Sequence, residues 1–143
     1  MKKWIITIVI ILLLLVLYLI WGGVNEQDLG DHYYYLPKYE ALDLGFPDGA
    51  IIYKSAQRNV FSDVKIHKNV ISVNNNKDFI IAIQQDDSVN IKSTQSIVLD
   101  SNSLHYFIIA KQKDMVYGPL SKNEYLKKRK ELNIPHNLKL KLE

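Results

Sequence analysis

The apolar positions of this chain follow three regimes. From Trp4 to Trp21, WIITIVIILLLLVLYLIW, they run unbroken and uncharged, interrupted only by Thr7 and Tyr18. As a helix this stretch is about 27 Å long at roughly 1.5 Å per residue, close to the roughly 30 Å of bilayer hydrocarbon. Lipid offers no partner to a free backbone amide, which favours the helical conformer. The pattern predicts a transmembrane anchor over residues 1–24, with Trp4 and Trp21 at the two interfaces, Leu13 in the middle and Tyr18 towards the far end.

A second regime, of short β-branched and aromatic runs between turn residues, follows a polar, Gly-containing tether at residues 25–31. His32–Leu36 reads as a strand ended by Pro37, with its three tyrosines alternating between two faces. Stacking of carbohydrate on those rings is the weaker reading. Gly45–Gly49 is a turn cluster, and Ala50–Ser55 has the length and branching of a strand. Val60–Phe61 with Val64–His67 predicts another, and Asn69 turns the chain into Val70–Val73. Asn74–Lys77 supplies a hairpin connection. The word Phe79-Ile80-Ile81-Ala82 recurs as Phe107-Ile108-Ile109-Ala110. Consecutive apolar positions imply strands covered on both faces, so this pair is expected inside the sheet. Asp86–Thr94 reads as loop or weak strand, Ile97–Leu99 as a short strand, and Ser101–Ser103 as a turn.

The third regime is helical. Met115–Tyr117 reads as a strand broken by Gly118-Pro119. Ser121 stands three residues before Glu124, the spacing of a capping box, with Leu120 placed to staple onto Tyr125. The helix is expected to reach Leu132, with Tyr125, Leu126 and Leu132 towards the sheet and Glu124 paired to Lys128. Pro135 bars its extension. The alternating tail Leu138–Leu142 suits an edge strand whose outer lysines deter pairing between molecules. The expected fold is α+β: an N-terminal transmembrane helix, then one extracytoplasmic domain over 32–143 with a mostly antiparallel sheet and a C-terminal helix.

Charge orients the anchor. Lys2 and Lys3 precede it and acidic residues follow it, so the positive-inside bias puts the N-terminus in the cytoplasm and the domain outside the cell membrane. A cleaved signal peptide is the rival reading, but the apolar run exceeds the usual roughly 7–15 residues and Trp21 is a poor residue near a cleavage site. The chain has no cysteine, so neither a lipid-modified cysteine nor a disulfide is available. The net charge of +3 includes the two N-terminal lysines, leaving the domain nearly neutral, which argues against nucleic acid as a partner.

Candidate chemistry is sparse. The four histidines, His32, His67, His105 and His136, are not at metal-ligand spacing, so no metal is expected. No P-loop, dinucleotide fingerprint or nucleophile elbow is present, and no cofactor is implied. The basic run Lys127-Lys128-Arg129-Lys130 is the one local feature with a binding rationale. Lys127, Lys128 and Lys130 are candidates for contact with an acidic partner or lipid headgroups, against the plainer reading of a solvated helix face.

The segments Asp31–Pro37, Ile51–Lys54, Tyr106–Ile109 and Val116–Leu120 resemble a family of small bacterial envelope proteins, often lipoproteins, classed as a domain of unknown function. The resemblance covers about residues 31–133. It implies a fold and carries no catalytic residue, and this chain lacks the cysteine of the lipid-anchored members. The expected function is that of a membrane-tethered interaction domain, for example one sequestering a protein partner as an immunity protein does. An accessory subunit of a membrane complex is the alternative, disfavoured because the apolar stretch has no small-xxx-small face. An enzyme would need a cleft assembled from distant residues such as His105, Asp100 and His32.

Overall fold

In the computed structural model of the chain, residues 4, 8–14, 16, 25–86 and 103–141 are described. From Gln27 onward the elements are β1 (Gln27–Gly30), β2 (Tyr33–Leu36), α1 (Lys38–Asp43), β3 (Ile51–Lys54), β4 (Asp63–Ile66), β5 (Val70–Asn75), β6 (Phe79–Gln85), β7 (Leu104–Ala110), β8 (Met115–Leu120) and α2 (Lys122–Glu131). The strands form two antiparallel four-stranded sheets, β1-β2-β3-β4 and β5-β6-β7-β8, each in chain order.

Alternation along the strands builds the layers, because successive side chains point to opposite faces. Tyr33 and Ile52 of the first sheet meet Ile80, Ala82, Phe107 and Ile109 of the second in a core between the sheets. The intervening residues of the first sheet, Tyr34, Leu36, Ile51 and Tyr53, cover its other face together with Ala41 of α1. Those of the second, Ile81, Ile83, Tyr106 and Ile108, pack against Tyr125 of α2 and against Ile134, Leu138 and Leu140. The order is therefore α1, sheet, sheet, α2. The two repeated words are the inner strands β6 and β7, paired from Phe79 with Ala110 to Gln85 with Leu104. Both faces of each are covered, as their unbroken apolarity predicts.

The fold class differs from the expectation in two respects. The single sheet is two sheets, divided where Lys68 and Asn69 take successive positive φ values of 60° and 48°. Asn69 ties the corner. Its amide donates to Asp48 O at 2.9 Å, and its side chain to Gln85 O at 3.0 Å. Second, no helix among the described residues is long and apolar enough to cross a membrane, which overturns the transmembrane helix expected over Trp4–Trp21. Within that stretch Trp4, residues 8–14 and Val16 are helical.

Smaller corrections follow. Residues 27–30, expected in the tether, form β1, whose Leu29 is wholly buried between the sheets. Helix α1 lacks a sequence counterpart. Strand β8 continues through Gly118-Pro119, which the missing amide of proline permits on an edge strand. Gly118 is required there: a Cβ at this position would stand 2.4 Å from Phe107 Cδ1. Among the described residues the tail forms no strand, although its alternation survives, with Leu138 and Leu140 buried and Lys139 and Lys141 exposed. It lies along β5, where Asn74 Nδ2 donates to Lys139 O at 2.7 Å. The readings at 87–102 lie outside the described residues.

Candidate functional site

Helix α2 begins as its sequence predicts. The Glu124 amide donates to Ser121 Oγ at 3.4 Å, and the Ser121 amide donates to Glu124 Oε2 at 2.8 Å. The Ser121 hydroxyl, donating to Glu124 Oε2 at 2.7 Å, and then the Ser121 amide hold the Glu124 carboxyl below the usual carboxylate range. Glu124 is thereby taken from Lys128, which donates instead to Glu131 Oε2 at 2.6 Å.

The other end of α2 makes the site. Asn133 adopts a left-handed conformation with φ 53°. The Ile134 amide donates to Arg129 O at 2.9 Å, and the Asn133 amide to Lys130 O at 3.1 Å. These are the two bonds of a Schellman motif, which suits asparagine at the left-handed position and proline shortly after it. The chain turns back beneath the helix, where Arg129 fastens it. Arg129 Nη2 donates to Pro135 O at 3.0 Å and to Leu138 O at 2.6 Å, and Nη1 donates to Tyr125 Oη at 3.2 Å. Tyr125 stacks on Tyr106 of β7 with ring centroids 4.9 Å apart, so the clamp rests on the sheet.

Between helix and returning chain lies a groove of about 640 Å³. One wall carries Lys122, Leu126 and Lys130, spaced four residues apart and therefore on one stripe of the helix. Pro135, His136 and Lys139 belong to the other side, with Ile134 and Arg129 between. Among the described residues no carboxylate lines the groove. Leu126 was expected to face the sheet, yet it is 43% exposed and faces the groove, because Tyr125 and Leu132 occupy the sheet side. The site combines apolar surface with cationic groups, an arrangement whose chemistry suits anions bearing apolar groups.

The basic run is divided by helical geometry. Lys130 lines the groove, and Lys127 is exposed outside its lining. Lys128 turns towards β8, its Nζ standing 5.2 Å from the Tyr117 ring centre, and its bond with Glu131 raises its pKa. Lys122 and Lys139 were not singled out in the sequence. The four-residue spacing of Lys122, Leu126 and Lys130 and the Asn133-x-Pro135 pattern were the available signals. Of the four anchor residues, Trp4 and Leu13 are exposed and helical, while Tyr18 and Trp21 lie outside the described residues.

Polar chemistry elsewhere ties elements together. At one end of the sandwich, Lys54 and Lys65 of the first sheet approach Asp114 at 3.1 and 2.9 Å, and Lys65 also meets Asp63 at 2.8 Å. Lys111, 5% exposed, donates from Nζ to the carbonyls of Leu29 and Asn76, and burial lowers its pKa. Tyr53 donates to Glu26, whose other oxygen stands 3.4 Å from Arg58 Nε. His32 lies in the β1–β2 turn and His105 on β7, with Nε2 3.9 Å from Asp86 Oδ2, while Asp100 lies outside the described residues. Among the described residues no group of three or more His, Asp or Glu side chains is placed to hold a metal ion.

A protein-family model described as Protein of unknown function (DUF3997) matches residues 32–143. No curated protein and no solved structure matches the chain.

Proposed function

Because the chain belongs to the DUF3997 family of proteins of unknown function, we propose its function from its own geometry: it is an interaction domain that binds a protein partner without covalent chemistry, through the groove beside α2. One observation carries the reading. The groove joins an exposed Leu126 to Lys122, Lys130 and Lys139 with no carboxylate among the described residues of its lining, whereas Lys54, Lys65, Lys111 and Arg58 are engaged by acidic groups or carbonyls of the chain itself. Cations that face a concave apolar surface are available to a ligand, while those already paired serve the fold.

The test is photocrosslinking in the living cell from a light-activated residue at position 126, against the same residue at Lys77 in the β5–β6 turn. The expected result is a discrete adduct from position 126, absent from position 77 and lost in Lys122→Glu/Lys130→Glu. Adducts of equal yield from both positions, or none from 126, would refute the groove as the contact surface.

A further inference from the structure

We propose that the partner's docking segment is an extended acidic stretch of the form acidic-x-apolar-x-acidic, laid along α2 with its apolar side chain over Leu126 and its carboxylates at Lys122 and Lys130. The inference rests on the groove being the contact surface and names what enters it. The match is one of spacing. Lys122, Leu126 and Lys130 rise along the helix in steps of about 6 Å, four residues at roughly 1.5 Å each. Alternate residues of an extended segment advance by about 6.6 Å and point to the same side. Three alternate side chains of such a segment therefore meet the three helix residues in register. A helical ligand would need its acidic groups about eight residues apart and would present a wider body.

Charge complementarity sets the sign. The lining holds Lys122, Arg129, Lys130 and Lys139 together with His136, and among the described residues no acidic side chain joins them there. Arg129 is committed to Tyr125, Pro135 and Leu138, so Lys122 and Lys130 from the helix, with Lys139 opposite, are left to meet the ligand. The concavity favours a segment over a bilayer. A membrane is engaged by a projecting apolar face, and on α2 the exposed large apolar side chain is Leu126 alone among the described residues.

The experiment uses the full chain and a fluorescein-labelled peptide containing Glu-Thr-Leu-Thr-Glu, followed by fluorescence anisotropy. Comparison peptides carry Gln for both Glu, Ser for Leu, or the two Glu adjacent to each other. The expected result is saturable binding that weakens about tenfold for the Gln peptide and at least fivefold for the other two. Raising salt should weaken it further. Lys122→Glu/Lys130→Glu should lose about tenfold and Leu126→Ser about fivefold, with melting temperatures kept, while Lys77→Glu should bind as the parent does. Indifference to the spacing of the Glu residues would overturn the proposal, as would absence of binding. Phosphatidylglycerol vesicles form the second arm. Vesicle binding lost in the groove variants, without peptide binding, would overturn the acidic segment and leave the groove as a contact surface. Peptide binding unchanged in the groove variants would remove both.

Discussion

The Tyr33 hydroxyl donates to Asp114 Oδ1 at 2.5 Å, bridging β2 of the first sheet to the β7–β8 connection of the second. Asp114 adopts a left-handed backbone with φ 51°, which its short polar side chain tolerates, and it also receives Lys54 and Lys65. Three side chains of one sheet thus converge on one carboxylate of the other. That carboxyl is held at about 2, chiefly by the Tyr33 hydrogen bond and then by the two lysines.

The pH dependence follows from that depression. Folded Asp114 binds a proton less readily than the unfolded chain does, so its contribution is complete above about pH 4 and is lost as the pH falls towards about 2. The melting temperature of Asp114→Asn should be lower than that of the parent at neutral pH, and its difference from the parent should close across this window. Melts between pH 2 and 7 measure it. Parallel curves would show that the carboxylate does not join the sheets.

Lys111 fastens β1 by another means. Its ammonium is buried and held by the carbonyls of Leu29 and Asn76, and Leu29 O also accepts from Asn75 Nδ2 at 2.8 Å. In Lys111→Met, Leu29 O keeps the asparagine while Asn76 O loses this donor. Asn76 O is only part-buried, so the expected cost is about 1 kcal/mol, the low end of the penalty for an acceptor left unmatched. Hydrogen exchange should report faster exchange in β1 before the rest of the sheet. Unaltered protection across β1 would contradict the assignment.

What the sequence disclosed depended on how locally each feature is determined. The capping box at Ser121 and Glu124 is a three-residue contact and was legible, as were β6 and β7 from apolarity on both faces. Helix α1 was not. It has six residues, only Ala41 buried, and no side-chain cap at Pro37. The division into two sheets turns on the backbone of Lys68 and Asn69, and asparagine alone does not tell a hairpin from a corner. The groove was half visible. Four adjacent basic residues look like one patch, yet consecutive helix positions point about 100° apart, so only Lys130 and Arg129 reach it. Its opposite wall depends on Arg129 bonds to Pro135 and Leu138 that no periodicity announces. The apolar run at Trp4–Trp21 suggested a span, whereas no helix among the described residues is long and apolar enough to be one.

The layer assignment makes a sharper demand. Ile109 faces the core between the sheets, and Ile81 faces α2. Both side chains are wholly buried, so Ile109→Asp and Ile81→Asp each place a carboxylate where no partner waits, at a cost of several kcal/mol against a total of about 5–15. Circular dichroism should find both variants unfolded at room temperature. Should one retain the parent's melting temperature, the face assigned to that residue is wrong.

The return of the chain beneath α2 depends on Asn133, and two substitutions there separate backbone from side chain. The position needs φ 53°, which glycine adopts freely and a β-branched residue resists. Asn133→Gly should therefore melt within a few degrees of the parent, while Asn133→Val should lose roughly 1–2 kcal/mol. The loss should be local as well as global. Without the Schellman turn, Pro135 and Leu138 move from the Arg129 guanidinium, Ile134 leaves the apolar cluster, and the groove loses a wall. Asn133→Val should consequently weaken binding of the Glu-Thr-Leu-Thr-Glu peptide while Asn133→Gly preserves it, at a temperature where both remain folded. If the valine variant binds as the parent does, the returning segment is not part of the contact surface, and α2 alone would have to account for recognition.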